Sequence, residues 1–374
     1  RILEAGESLG GIDGVGYKED GVPTFNSARA LKPIRELPPK SYHLADFDAY
    51  ERVCGRRWAM YISSLACPYS CAYCTNEGVY GRQWNALEAD QVVEEMTDLV
   101  VRYRLQLVWV VDDNFLVDRE RAVEIAEGLV RRGVPFEWSI QSSTNLVNRL
   151  DVDQLKLLRR AGLSQICHGA ESASPKVLGL MNKEFQKPET IYAVAGKCVQ
   201  AGIRPSFNVI FGFPGEGERE RRETINFIMR VCRRFPGAEF WTNIFTPYPG
   251  SPIVQRAAEL GIDLPSSFEG WADFFPRYTV LPWLSGPKHK RVQIMRDYLR
   301  VAFSRVPIAA DRRRLPMRLF HQAIGFPARW RLDHDVYALP FEIWIKNLLN
   351  RISESPKPKV DAQQLSADPV VGCT

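Results

Sequence analysis

A chain of 374 residues with 45% hydrophobic and 25% charged residues has apolar surface enough for a large buried core, which excludes a disordered or collagen-like protein. Forty-nine Lys and Arg against 44 Asp and Glu leave a net charge of +5, too weak to make nucleic acid the expected partner. No apolar run reaches the roughly 20 residues that span a bilayer, and the opening Arg1-Ile2-Leu3-Glu4-Ala5 has no signal-peptide layout, so a soluble cytoplasmic protein is expected.

Residues 1–55 read as a connector. They run from Gly-rich Leu9-Gly10-Gly11-Ile12-Asp13-Gly14 through a hairpin signal at Asp20-Gly21 to Pro-rich Leu37-Pro38-Pro39-Lys40. The glycines do not fit G-x-G-x-x-G, and no strand–helix pattern surrounds them, so a nucleotide loop is not expected here. With a first residue other than Met, the connector suggests a fragment of a longer protein.

Residues 56–262 alternate short apolar runs with amphipathic stretches, the pattern of βα units around a parallel sheet. The runs Trp58–Leu65, Leu107–Asp112, Phe136–Gln141, Gln165–Glu171, Pro205–Phe211 and Glu239–Thr246 predict six strands. Helices are predicted over Ala89–Tyr103, Arg119–Arg132, Val152–Ala161, Glu189–Ala201 and Glu218–Arg234, with glycine stops at Gly133, Gly162 and Gly202. The expected fold is α/β, a partial (β/α)6 TIM-like barrel, whose chemistry belongs on the loops at the C-terminal strand ends. Residues 263–352 form a mainly helical extension with helices at Lys288–Phe303 and Phe341–Ile352, and 353–374 read as a polar, disordered tail.

Eight cysteines divide unevenly. Cys54, Cys167, Cys198, Cys232 and Cys373 are scattered, whereas Cys67, Cys71 and Cys74 crowd directly behind the first strand as C-x₃-C-x₂-C. Three thiolates on one loop can hold three irons of a [4Fe–4S] cube and leave the fourth open to a ligand. A structural zinc site wants four ligands, and neither a fourth Cys nor a His lies near this loop.

C-x₃-C-x-aromatic-C, with Tyr73 as the aromatic, resembles the signature of the radical S-adenosylmethionine (SAM) superfamily. The resemblance implies that Cys67, Cys71 and Cys74 hold the cluster, that the open iron binds the amino and carboxylate groups of SAM, and that reductive cleavage yields a 5′-deoxyadenosyl radical. It also implies an electron-donating partner such as flavodoxin or ferredoxin.

Further strand ends are similar to the family's cofactor contacts. Asp112 and Asp113, in Val111-Asp112-Asp113-Asn114-Phe115, stand where the family has a polar stretch near the SAM amino group; the alternative is a helix N-cap. Glu171, in Gly169-Ala170-Glu171-Ser172, stands where G-x-E-S lies beside SAM, against a capping role. Asn208, Ile210 and Gly212 resemble G-x-I-x-G-x-x-x-E with Asn208 in the first glycine position, which implies adenine packing on Ile210; the alternative at Gly212-Phe213-Pro214-Gly215 is a simple turn.

These strings together are similar to the branch in which a cobalamin-binding domain precedes the barrel, whose members include methyltransferases and the anaerobic magnesium-protoporphyrin monomethyl ester cyclase. The chain has no D-x-H-x-x-G, so cobalamin is expected on a domain outside it. The implied reaction is methyl transfer or radical cyclisation on a small, apolar metabolite. A tRNA methylthiotransferase would need three more upstream cluster cysteines and a trailing β-barrel. An iron–sulfur electron carrier would need a fourth cluster ligand.

One segment stays open between two readings. Leu339–Leu349 follows an Arg-rich stretch including Arg312, Arg313, Arg314, Arg318, Arg329 and Arg331. Phe341, Trp344, Ile345, Leu348 and Leu349 recur at helical spacing, either to dock a helix across the barrel or to meet an anionic membrane.

Overall fold

The structure, a computed structural model, describes residues 8–274, 281–303 and 315–353. Its centre is a sheet of six parallel strands, β1 (Trp58–Tyr61), β2 (Leu107–Val110), β3 (Glu137–Gln141), β4 (Leu163–Glu171), β5 (Arg204–Phe211) and β6 (Glu239–Ile244). Each strand is hydrogen-bonded to the next in chain order. The crossovers carry α1 (Ala89–Tyr103), α2 (Arg119–Arg132), α3 (Val152–Arg160), α4 (Pro188–Gln200) and α5 (Glu218–Arg234). A helix in every crossover and neighbours in sequence order make the six-stranded, open α/β barrel that the alternation predicts.

Period-two burial along the strands separates two faces. Ala59, Tyr61, Val108 and Val110 are buried with Val92, Met96 and Ile125 of the helices in one core. Their neighbours Met60 and Ile62, after the start of β1, and Trp241 on β6 are 48%, 37% and 54% exposed on the opposite, lumen side. Helix limits follow local chemistry. The Asp118 side chain accepts from the Arg121 N–H at the start of α2, and Gly133 ends that helix at φ 66°. Asp151 and Gln154 form a capping box at the start of α3.

Three departures from the expected elements have identifiable causes. The predicted strand Trp58–Leu65 breaks after Tyr61 because Ser63 and Ser64 turn to the buried Asp112 carboxylate; Ser64–Leu65 then pairs antiparallel with Asn85–Ala86. Inside the predicted connector, Phe47–Cys54 is a helix capped by Asp46 and by Gly55 at φ 70°. Phe47 is buried against Tyr103 of α1 with ring centroids 4.9 Å apart. The hairpin is where Asp20-Gly21 indicates it, joining Gly16–Glu19 to Val22–Phe25.

Beyond the barrel come α6 (Gly286–Phe303), α7 (Leu315–His334) and α8 (Phe341–Ser353). On α6, Val292, Met295, Tyr298 and Leu299 are buried in a second core with Phe207, Phe211 and Ile225, and Arg296 donates to the Thr242 carbonyl at 2.9 and 2.6 Å. The third departure is α7, which sequence patterning misses because Pro327 lies inside it. Buried Ala328 and Leu332 anchor it in the second core. Arg312–Arg314, Cys373 and the expected tail beyond Ser353 lie outside the described residues. Among the described residues no helix is long and apolar enough to cross a membrane.

Candidate functional site

The cysteine loop leaves the barrel through Ala66, whose φ of 70° turns the chain sharply and whose N–H donates to Asp113 Oδ2 at 3.1 Å. Neighbouring segments then pin the loop. The Ala72 N–H donates to the Met181 carbonyl and the Ile253 N–H to the Ala72 carbonyl, both at 2.9 Å. Asn182 Nδ2 donates to the Ser70 carbonyl at 2.7 Å. Gly78 lies so close to the Gly250 carbonyl that an added Cβ would sit 2.6 Å from its oxygen. Bonds to the loop's backbone thus hold it, none of which needs a particular side chain at Ala72, and Asn182 also donates to Ser70 Oγ at 2.9 Å.

Amide donors reach two of the sulfurs. Asn114 Nδ2 lies 3.6 Å from Cys67 Sγ, and the Asn76 N–H lies 3.5 Å from Cys74 Sγ. The Asn114 amide cannot turn round, because its oxygen accepts from Ser142 Oγ at 2.8 Å and from the Ser143 N–H at 3.2 Å. Burial pushes the Cys71 and Cys74 thiols up. Thiolates at these positions therefore want a positive partner.

All three cysteines open on a cavity of about 280 Å³ at the C-terminal ends of β2 to β5. On β4 the register shifts between Gly169 and Glu171, and Glu171 takes the left-handed conformation at φ 59°. A bulge re-aims a side chain, and this one folds the Glu171 carboxylate back over Gly169. A Cβ on Gly169 would lie 2.4 Å from Glu171 Oε1. Gln186 Nε2 satisfies the displaced carbonyls of Gly169 and Ala170 at 3.0 and 2.6 Å.

Glu171 Oε1 accepts from Tyr73 Oη at 2.8 Å and from Lys183 Nζ at 3.1 Å, and Lys183 also donates to Tyr73 Oη at 3.1 Å. The Lys183 and Glu171 side chains are each 6% exposed. Burial alone would lower the Lys183 ammonium, but the Glu171 charge and hydrogen bond together with the nearby Cys71 and Cys67 sulfurs outweigh it and hold the group above its ordinary range. Burial, then Glu171, pushes the Tyr73 phenol far up, so it stays a donor. Tyr69 and Phe185, stacked at 4.2 Å, form another part of the wall.

The structure brings most of the expected residues together. Cys67, Cys71, Tyr73, Cys74, Asp113, Glu171 and Asn208 all line the cavity. Asp112 does not: its carboxylate accepts from the Ser63 N–H and Ser63 Oγ at 2.6 Å and from Ser64 Oγ at 2.7 Å, beside Arg121, which donates to Ser63 Oγ at 2.9 Å. It lies beside Arg121 of α2, away from the cavity, and caps no helix; Asp118 does that. Ile210 and Gly212 lie outside the cavity wall. Ile210 packs against the second core. Gly212 closes β5 at φ 79°, its carbonyl accepting from Trp283 Nε1 at 2.9 Å.

Sequence reasoning misses Lys183, Asn114 and Gln186. Met181-Asn182-Lys183 carries no spacing signal, because the lysine finds Glu171 only through the bulge.

The donor set suits a cluster better than a lone ion. Among the described residues no three His, Cys, Asp or Glu side chains converge closely enough to hold one metal ion. Three thiols spaced around a shared cavity fit a polynuclear group that takes one sulfur at each of three irons.

Residues 61–228 match the profile of the Radical SAM superfamily. An uncharacterised methyltransferase of Pyrococcus horikoshii is 28% identical over 302 residues, 80% of this chain and 62% of the relative. The bacteriochlorophyllide d C-12(1)-methyltransferase of Chlorobaculum tepidum is 29% identical over 61% of this chain and 49% of its own length. Among solved structures, the cobalamin-dependent S-adenosylmethionine radical enzyme OxsB superposes with a TM-score of 0.66 at 15% identity, covering 94% of this chain and 57% of that one. The chain thus spans about half to three-fifths of the length of these relatives.

Proposed function

The chain carries a radical SAM domain, and from that premise we propose that Cys67, Cys71 and Cys74 bind one [4Fe–4S] cluster and that the protein cleaves SAM reductively in a cobalamin-assisted methyl transfer to an apolar small molecule. Residues 56–262 form the catalytic barrel in this reading, with 263–352 as a helical extension and cobalamin held outside the chain. The observation that carries it is one cavity shared by three thiols, the buried Glu171–Lys183 pair and Asp113.

When bound, such a cluster supplies the electron that splits the sulfonium C–S bond, with one iron left for SAM. The chain's residues bind, orient and shield. Asn114 and Asn76 donate to the Cys67 and Cys74 sulfurs and draw charge from them. Asp113 and Glu171 can accept from the ammonium of an amino-acid end, and Lys183 can donate to its carboxylate. Tyr73 holds Glu171 in place. Met60, Ile62 and Trp241 offer an apolar lumen surface to the methyl acceptor. The electron comes from a reductant of the flavodoxin or ferredoxin class.

The test is anaerobic reconstitution with iron and sulfide, then dithionite and SAM. We expect 5′-deoxyadenosine and methionine in equal amounts from the native chain and neither product from Cys71→Ala, which loses its iron. Glu171→Gln should keep its iron and bind SAM more weakly. Cluster-loaded native protein that forms neither product would overturn the reading.

A further inference from the structure

The helical extension presents an apolar face that the barrel does not use. On α8, Ile343 and Glu342 turn inward, at 4% and 6% exposure. Glu342 accepts from Arg331 Nε at 2.8 Å and from Tyr298 Oη at 2.7 Å, a buried anchor that fixes the helix in one rotational setting. That setting turns the opposite stripe outward. Phe341, Trp344, Ile345 and Leu348, spaced i, i+3, i+4 and i+7, are 50%, 56%, 45% and 58% exposed. Leu339, just before the helix, is 68% exposed. A helix that merely docked across the barrel would bury this stripe and expose its Glu. Leu349, the fifth residue of the sequence pattern, has no described side chain.

Charge identifies the occupant. Residues 281–353 contain 14 Lys and Arg against 5 Asp and Glu, while the rest of the chain contains 35 against 39. The extension is therefore strongly cationic on an otherwise slightly anionic protein. An aromatic-rich amphipathic stripe set in a basic segment is the chemistry that enters the headgroup region of an anionic bilayer. A second copy of the chain, equally cationic there, would be repelled.

We propose that the outward face of α8, centred on Phe341, Trp344, Ile345 and Leu348, docks on an anionic membrane surface. Trp344 and Phe341 enter the interface, and the surrounding cations meet lipid phosphates. The contact is peripheral and salt-sensitive, because the electrostatic part is screened over about 10 Å in ordinary buffer. This assignment does not depend on the barrel's reaction.

The experiment is vesicle flotation of the full chain with phosphatidylcholine alone and with phosphatidylcholine mixed with phosphatidylglycerol, at low and high salt. The native chain should float with the mixed vesicles roughly tenfold more than with neutral ones, and high salt should release it. Trp344→Ser/Leu348→Ser should reduce flotation roughly tenfold, with an unchanged thermal melt. Phe25→Ser, at an aromatic on the hairpin that is 80% exposed, should change nothing. Leu348→Ser alone serves if the double variant melts early. Equal flotation of native and variant chains, or no flotation with the mixed vesicles, overturns the proposal. So does a native dimer, seen by sedimentation velocity, that the variant dissociates while vesicles leave it intact.

Discussion

Lys183→Met removes the ammonium that faces Glu171 in a site where both side chains are 6% exposed. Breaking a buried pair by deleting one partner typically destabilises by about 3–5 kcal/mol. Tyr73 Oη remains as a donor at 2.8 Å, which pulls the expected loss toward the lower end, about 3 kcal/mol. Urea unfolding of the cluster-free chain in anaerobic buffer, followed by far-ultraviolet circular dichroism at neutral pH, measures it. The double variant Lys183→Met/Glu171→Leu should regain most of the stability, since no charge is stranded. A single-variant loss below about 1 kcal/mol, or a double variant weaker than the single, would refute the reasoning.

Three further outcomes are expected. Asp112→Asn should destabilise by about 3 kcal/mol, because the carboxylate's bonds to Ser63 and Ser64 lie beside the Arg121 charge, while SAM affinity by calorimetry stays within about twofold; weakened SAM binding at unchanged stability would return Asp112 to the cofactor. His168 is fully buried against Phe207, and burial lowers its pKa to about 3. Its unfolded-state pKa of about 6.5 is higher, so stability is lost as pH falls from there, by about 1.4 kcal/mol per unit; His168→Phe should flatten that acid slope in urea titrations, and parallel slopes would count against it. Asn114→Leu removes the N–H donor 3.6 Å from Cys67 Sγ. A donor worth ~1 kcal/mol more to the reduced state moves a one-electron potential by about 40 mV, so the variant's cluster should have a lower potential in an EPR-monitored redox titration at full iron content, whereas an unchanged potential would reduce Asn114 to a structural role.

Local chemistry made the barrel legible in the sequence. The limits of Ala89–Tyr103, Arg119–Arg132 and Glu218–Arg234 coincide with the observed helices because amphipathic period, caps and stop residues act within a few positions. Three cysteines within eight residues are equally local, so chain connectivity alone brings them to one loop. Other features depend on neighbours distant in the chain. Asp112 and Asp113 are adjacent and chemically alike, yet one is spent on Ser63 and Ser64 and the other reaches the cavity, because successive residues at a strand end point to opposite sides. Lys183 meets Glu171 only because a bulge and a left-handed residue turn the carboxylate back. Apolar spacing revealed that α8 has a stripe, but which way it turns was decided by Arg331 and Tyr298 gripping Glu342 from other helices. Periodicity is a property of one segment, whereas burial is a property of what lies against it, and only the tertiary structure supplies the second.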